Sequence, residues 1–547
     1  MELIVNASKE KLRGGFYTPK VIGDFILTWA INGNQNYDIL EPSCGDGLFL
    51  EQIKEKGYKY NSITAIELDP NEARKAYNID IPNKVVLNED FHNYCNSTRQ
   101  KFDLVIGNPP FIRYQYFDKE QQIKAEKIFN SAGLKYSKLA NSWVSFVVGS
   151  SLLLKDVGKI GFVIPAEILQ VSYAHQIRKF LVQFYNKITI ISFRKLVFPD
   201  IQQDVLLLLC EKDNSNSHLI EHLEVEDAEE LRKLDIARIK KPMKRVNLKS
   251  SKWTFYFLEQ EEIDFIENLL DQRIIPTLDD YASVEVGMTT GSNEFFSVPK
   301  SIVEKYSLQE YAKPAVGRSV QVSGAIFKEC DWKLNSESNS KAYILLFPSR
   351  NELINNNKAL EYIDNGEKGN IHKGYKCRIR DEWQTLPSAW VSEVLFLRRS
   401  DIFPKIVINQ AKVYTTDTMH RITINNSLGL IKNNKNVNVE AFTASYYNSL
   451  SFASAEIFGR SYGGGVLELM PSEVENILLP YNDNNIEILE EIDNMIRKKE
   501  HIDKILKFTD IVILKENYGL SESDIKLANK IWKKLLNRRK NRGYSIK

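Results

Sequence analysis

The chain has 547 residues, 43% of them hydrophobic and 26% charged, a composition that excludes a disordered, collagen-like or coiled-coil protein and leaves room for two or more packed units. Lys and Arg number 73 against 71 Asp and Glu, so a formal charge of +2 says little about partners. The five cysteines (Cys44, Cys95, Cys210, Cys330, Cys377) are scattered and lack any C-x-x-C pairing, which suggests neither a zinc ribbon nor a disulfide framework and fits a reducing cytoplasm. At the amino terminus the only apolar run is Leu3-Ile4-Val5, too short for a signal peptide. The most apolar stretch, 145–164, is broken by Lys155, Asp156 and Lys159, so no membrane span is expected.

Short apolar runs at 38–40, 63–66, 85–87, 102–106, 160–164, 188–191 and 205–209 read as strands. Helix-like segments such as 71–77 and 172–184 lie between most of them, which predicts a doubly wound α/β unit with a largely parallel sheet. The last two runs are expected to close the sheet as an antiparallel pair. The alternation is expected to stop near residue 220, where an acidic block (Glu221 to Glu230) gives way to a basic one (Arg238 to Lys252). That basic block reads equally as a solvated linker or as a phosphate contact. Beyond it the chain is rich in Ser, Asn and aromatics with short β-like pieces, and from about residue 485 a helical pattern returns. Residues 531–547 carry seven Lys and Arg and no Asp or Glu, which predicts either an auxiliary nucleic-acid contact or a disordered solubilising end.

Four strand ends carry the chemistry. The first run ends at Glu41 and enters Pro42-Ser43-Cys44-Gly45-Asp46-Gly47, a glycine turn that lets backbone approach a nucleotide-like ligand facing a helix amino terminus. Glu67 ends the second run, where a carboxylate can accept both hydroxyls of a ribose. After the third come Glu89-Asp90-Phe91, an acceptor for an exocyclic amine beside an apolar ring. The fourth leads into Asn108-Pro109-Pro110-Phe111. Two prolines stop the strand and stiffen the loop, holding the Asn108 side-chain oxygen and the Pro109 carbonyl in set directions. Two convergent acceptors suit an –NH2 group, and Phe111 can stack on the base that carries it. Such acceptors stabilise the charge that grows on an adenine amine as it attacks an electrophilic methyl, with no metal required.

In the order of these motifs, with Gly15-Phe16-Tyr17-Thr18-Pro19 ahead of them, residues 13–210 resemble the gamma class of N6-adenine DNA methyltransferases, the TaqI-like group. The resemblance implies a mostly parallel, seven-stranded Rossmann-like methyltransferase sheet and S-adenosylmethionine as methyl donor. It implies that Tyr17, Thr18, Glu41 and the turn holding Cys44, Gly45 and Gly47 bind the cofactor's methionine end. Glu67 would take the ribose and Asp90 the adenine amine, with Leu68, Phe91 and Pro110 around the ring. Asn108 and Pro109 would then accept from the target N6, with Phe111 and Phe198 stacking on an adenine rotated out of double-stranded DNA. Many relatives have Tyr where this chain has Phe111, a change that keeps stacking.

The expected organisation is a catalytic domain at 1–235, a basic linker at 236–252, a mixed α+β target-recognition domain at 253–484 and a helical basic segment at 485–547. More loosely, the region after 250 resembles the family's recognition half, and Lys373, Lys376, Arg378 and Arg380 are its expected DNA contacts. The expected enzyme is a cytoplasmic monomer of a restriction-modification system, with any restriction endonuclease a separate protein. Alternatives are methylation of RNA or of protein glutamine, and a non-catalytic DNA-specificity module. Intact strand-end motifs oppose the last.

Overall fold

The computed structural model describes residues 18–31, 36–195, 197, 204–234, 243–246, 252–424, 436–462 and 464–543. Its contacts divide the chain into two compact units, one of the residues up to Ile263 together with those from Asn541, and the other Asp264–Lys540. No helix among the described residues is long and apolar enough to cross a membrane.

In the first unit, each apolar run of the sequence is a strand. They are β1 (Asp38–Glu41), β2 (Ser62–Glu67), β3 (Lys84–Asn88), β4 (Phe102–Gly107), β5 (Leu154–Pro165), β6 (Lys187–Phe193) and β7 (Val205–Lys212), joined by β8 (Leu219–Val225) and β9 (Lys244–Arg245). The sheet order is β3-β2-β1-β4-β5-β7-β6-β8-β9. From β3 to β5 every pairing is parallel, while β7 runs antiparallel between β5 and β6. Helix α1 (Lys20–Ala30) precedes β1, and α2 (Leu48–Lys56), α3 (Pro70–Asn78), α4 (Phe91–Ser97), α5 (Lys119–Ser131), α6 (Trp143–Leu152) and α7 (His175–Phe184) lie in the connections between strands. Ile39, Leu40, Ile66, Val105 and Val163 are fully or almost fully buried, as strands covered on both faces require.

The sheet therefore has nine strands among the described residues rather than the expected seven. Strand β8 was hidden in the sequence by Glu221, His222 and Glu224, whose charges masked a run pairing in register with β6. Beside it, β9 falls inside the expected linker. Lys244 is buried, and its ammonium donates to the Tyr256 carbonyl (2.6 Å). Lys252 is buried too, so neither side chain forms part of a solvated linker. Arg238, Lys240, Lys241 and Lys249 lie outside the described residues.

A charge cluster ties three strands of this sheet together. Lys155 Nζ lies 2.8 Å from both Asp38 Oδ2 and Asp103 Oδ2, and the Asp38 amide donates to Asp103 (2.8 Å). The Lys155 hydrogen bond, helped by Ser62 and Asn61, holds the Asp38 carboxyl down at about 2.

The second unit holds a sheet of order β10-β18-β14-β16 and another of order β11-β13-β12-β17: β10 (Ala282–Val286), β11 (Ser297–Val298), β12 (Ala312–Val316), β13 (Tyr343–Leu345), β14 (Val394–Leu397), β16 (Ile406–Ile408), β17 (Tyr414–Thr415) and β18 (Met419–Ile424). A third, smaller sheet joins β15 (Arg399–Ser400), β20 (Val466–Glu468) and β19 (Arg460–Tyr462). Helices follow at Leu489–Arg497, Ile502–Thr509 and Glu522–Gly543.

The last helix corrects the expectation of a free basic end. Arg539 is buried and pairs with buried Glu456 (2.6 Å), and its guanidinium donates to the Asp401 carbonyl (2.6 Å). Lys533 pairs with Asp503 (2.9 Å) and Lys540 with Asp401. Three charges counted as a polyelectrolyte tail are thus used inside the unit; residues 544–547 lie outside the described ones.

Because the folded Asp38 pKa is depressed below its usual 3.8, its contribution is full above that value and is lost as pH falls towards about 2. Urea unfolding should therefore show stability falling between about pH 4 and 2, with a shallower fall for Lys155→Met. An unchanged acid slope in that variant would remove the cluster's role.

Candidate active site

All four parallel strands β1 to β4 end at one edge, and the sheet order reverses between β1 and β4. Chains leaving adjacent strands in opposite directions open a crevice at such a point. A cleft of about 640 Å3 lies there, lined by residues of 41–46, 67–72, 89–92 and 108–118, with Ser142 and Phe146 from α6. Glu41, Asp46, Glu67, Glu72, Glu89 and Asp90 all face it; no Lys or Arg is in its described lining.

After β1 the turn is held by its neighbour strand. The Cys44 amide donates to the Ile66 carbonyl (2.9 Å), and the Gly45 amide to Glu67 Oε2 (2.9 Å), while the Asp69 amide donates to Glu67 Oε1 (2.8 Å). Gly45 (φ 53°) and Gly47 (φ 96°) adopt left-handed conformations. At Gly47 a side chain is also blocked in space, since a Cβ would stand 2.5 Å from Ile79 Cδ1 and 3.1 Å from Ala76 Cα.

The acids beside this turn are in an unusual state. Burial, with the charges of Glu67 and Asp46 nearby, pushes the Glu41 carboxyl well above the ordinary carboxylate range. Glu67 is raised as well, because burial outweighs the amides that hold it. Burial likewise raises the Cys44 thiol.

Asp90 caps α4, its Oδ1 accepting from the His92 amide (3.0 Å) and lying 2.9 Å from His92 Nδ1. Burial alone would raise its carboxyl, but the His92 hydrogen bond and charge, with Lys124 Nζ 3.5 Å from Oδ2, leave it below the usual value. Next to it the Phe91 ring stacks on Phe146 at 4.7 Å, giving the cleft an apolar wall.

The loop after β4 is gripped from α6. Ser142 Oγ donates to the Pro110 carbonyl (2.5 Å) and accepts from the Ile112 amide (2.9 Å), and the Ser142 amide donates to the Ile112 carbonyl (2.9 Å). On the other side Ser43 Oγ donates to the Asn108 carbonyl (3.3 Å). The proline corner is thereby fixed at both ends.

Of the residues expected from the sequence, Thr18, Glu41, Cys44, Gly45, Glu67, Leu68, Asp90, Phe91, Asn108 and Pro110 line this one cleft. Gly47 and Pro109 sit in the same turns without being in the lining. Phe111 is buried (7% exposed) and is not in the lining, because the loop folds its ring inward. Tyr17 and Phe198 lie outside the described residues. Tyr116, Phe117, Ser142 and Phe146 line the cleft too but carry no signal in the sequence, since only the packing of α6 and the loop brings them there, and His92 enters it from α4 beside Asp90.

In the second unit Lys373, Lys376 and Arg378 are exposed around the short helix Tyr375–Arg378, with Lys376 Nζ 5.7 Å from the Tyr375 ring centroid. Arg380 differs from them. Its guanidinium donates to the carbonyls of Thr289 (2.8 Å) and Thr290 (2.9 Å) and lies over the Phe296 ring, so it serves the local fold.

Strand order and site together define an α/β protein with a nucleotide-type cleft and an Asn-Pro-Pro-Phe corner at its mouth. Residues 3–272 match the family described as N-6 DNA Methylase, and residues 250–514 match the C-terminal domain of the type II methyltransferase M.Eco57I, which together support an adenine-specific DNA methyltransferase. Among curated relatives, the type II methyltransferase M.AccI of Acinetobacter calcoaceticus is 24% identical over 510 residues, covering 89% of each chain. The type II methyltransferase M.HincII of Haemophilus influenzae is 29% identical over 206 residues, which is 37% of this chain and 38% of that one. A nuclease-deletion mutant of the Type ISP restriction-modification enzyme LlaGI, solved with a DNA substrate mimic, shares the fold: TM-score 0.52, 13% identity, 91% of this chain and 57% of that one.

The two glycines of the turn should separate in unfolding experiments. Gly45→Ala carries only the left-handed backbone cost, about 1–2 kcal/mol, since its Cβ would meet nothing within 4 Å. Gly47→Ala adds the clash with α3 and the residue after it, and should cost about 1–3 kcal/mol more. Equal losses in urea midpoints would deny the close approach.

Proposed function

We propose that the chain transfers a methyl group from S-adenosylmethionine to N6 of an adenine rotated out of double-stranded DNA, its first unit carrying the chemistry and its second unit reading the surrounding sequence. One observation carries this: Asn108 and Pro110 face the same cleft as Glu67, Asp90 and Phe91, at the reversal of the sheet. S-adenosylmethionine-dependent methylation of DNA adenine is the reaction that the matched family models and relatives support.

The cleft's lining fits that cofactor. Carboxylates without a lysine or arginine suit a ligand carrying a sulfonium and an ammonium, and the Phe91–Phe146 wall suits an adenine ring. Tyr17, Thr18, Glu41 and the turn at Cys44, Gly45 and Gly47 would hold the methionine end. Glu67 would accept from the ribose hydroxyls and Asp90 from the adenine amine, with Leu68, Phe91 and Pro110 against the ring. When bound, the cofactor supplies a methyl group on a positively charged sulfur.

At the target, the Asn108 side-chain oxygen and the Pro109 carbonyl would accept from the two N6 hydrogens, favouring a pyramidal nitrogen and stabilising its developing charge. Ser142 and Ser43 keep that corner from relaxing, so the acceptors are arranged before the base arrives. Turning the adenine out of the duplex costs a few kcal/mol, which stacking recovers in part. Phe198 is one partner for that stacking. Phe111 is another once its ring is uncovered, and Tyr116, 47% exposed in the cleft lining, is a third. Lys373, Lys376 and Arg378 would touch phosphates. The enzyme would act as a cytoplasmic monomer, and any cognate restriction endonuclease would be a separate protein.

Tritium from labelled S-adenosylmethionine should appear in N6-methyladenine of duplex DNA. Asn108→Ala should lower turnover by about 10²–10³-fold while DNA affinity stays within about threefold. Label appearing in RNA or protein instead would overturn the assignment.

The raised carboxyls of Glu41 and Glu67 add a pH signature. As pH falls, they take up protons above the ordinary 4.5, and the cleft loses the negative charge a sulfonium needs. Calorimetry should show the affinity for S-adenosylmethionine falling on acidification at a pH above 4.5, more steeply than for the neutral thioether product. Parallel curves for the two ligands would contradict this electrostatic role.

A further inference from the structure

We infer that His92, a residue outside the strand-end motifs, is a positioning residue that sets the Asp90 carboxylate for the cofactor's adenine amine and ties it to the Asn108 loop; this rests on the reading of the cleft just proposed. The His92 side chain is almost wholly buried (1% exposed), wedged edge-on to the Phe146 ring at 5.2 Å. Both of its ring nitrogens meet polar groups. Nδ1 lies 2.9 Å from Asp90 Oδ1, the same oxygen that accepts from the His92 amide at 3.0 Å. Nε2 lies 2.8 Å from Ser145 Oγ. The Ser145 hydroxyl has two acceptors within reach, the Ser142 carbonyl (2.7 Å) and Nε2, so a neutral ring that gives its Nδ1 proton to Asp90 takes support from Ser145 at its other nitrogen. Ser142 in turn grips Pro110 and Ile112.

The consequence for Asp90 is geometric. One carboxylate oxygen is anchored twice by His92, which fixes the rotation of the group and leaves Oδ2 as the oxygen to present to a ligand. Lys124 stands 3.5 Å from Oδ2 but is itself held at 2.8 Å by Glu120. A phenylalanine would fill the same space, so packing alone does not call for a histidine, whereas the contacts at 2.8 and 2.9 Å to Ser145 and Asp90 do. The network Asp90–His92–Ser145–Ser142–Pro110 thus connects the acceptor for the cofactor's amine to the loop that takes the target's amine. A ring held in this way is a positioning device of the kind that orients active-site carboxylates elsewhere.

The test compares two ligands that differ at the purine 6-position. S-adenosylhomocysteine has an amine there and S-inosylhomocysteine an oxygen, so their affinity ratio in calorimetry reports whether Asp90 is set as an acceptor. Two replacements divide the histidine's bonds: in His92→Asn the side-chain amide falls near Nδ1 and keeps the Asp90 contact, whereas in His92→Gln it falls near Nε2 and keeps Ser145. The wild-type protein should prefer the adenosine form, His92→Gln should lose about tenfold of that preference, and His92→Asn should retain most of it. Ser145→Ala, which keeps the ring and removes its far support, should lose about two- to threefold and decides the matter if His92→Gln does not fold. His92→Gln or Ser145→Ala with wild-type preference, or His92→Asn as weak as His92→Gln, would overturn the inference. Asp90→Ala separates this failure from that of the cleft's assignment: if it too leaves the preference intact, the adenine is not held at Asp90 at all.

Discussion

A parallel sheet whose order reverses beside its first strand imposes the constraint from which the rest of the first unit follows. Strands β2 and β3 step away from β1 on one side and β4 and β5 on the other, so the chain leaving β1 and the chain leaving β4 cannot cover the same edge. What is left open is a cleft with four strand ends around it. The carboxylates and the proline corner that face the cleft, from Glu41 to Asn108, lie at or just beyond those ends. The Asp38–Lys155–Asp103 cluster at the opposite ends of β1, β4 and β5 helps keep that spacing.

The cleft is a costly thing to fold around nothing. Several carboxylates face one another there without a cationic side chain in the lining, and burial raises two of them, Glu41 and Glu67, above the ordinary carboxylate range. Packing that favoured stability alone would place a lysine among them. Leaving the positive charge to be supplied by a ligand exchanges stability for selectivity, because a cation is then preferred over the neutral species that remains once its methyl has gone. The apolar Phe91–Phe146 wall and the proline corner hold shape where the electrostatics do not.

In the second unit, charge seen in the sequence divides into two uses. Lys373, Lys376 and Arg378 stand exposed on a short helical turn. Arg380 and Arg539 are turned inward, each guanidinium meeting backbone carbonyls in the fixed fork that suits arginine to such clamps. Breaking a buried pair such as Arg539–Glu456 would leave an uncompensated charge in the interior, which makes it a fixed part of the last helix's packing.

The sequence by itself determined the first seven strands, because each holds an apolar run, and for β1 to β5 the residues at their carboxyl ends, because a glycine, proline or acid marks each of those ends. It also determined the glycine turn and the proline corner, whose backbones are restricted by their own residues. Only the tertiary structure decided that β7 lies between β5 and β6, that β8 is a strand despite its acids, and that Ser142, Phe146 and His92 complete the site. The same holds for Arg539, whose partner Glu456 is 83 residues away. Local composition records what a residue can do, but whether a charge meets water or a distant partner depends on contacts that no neighbouring residue encodes.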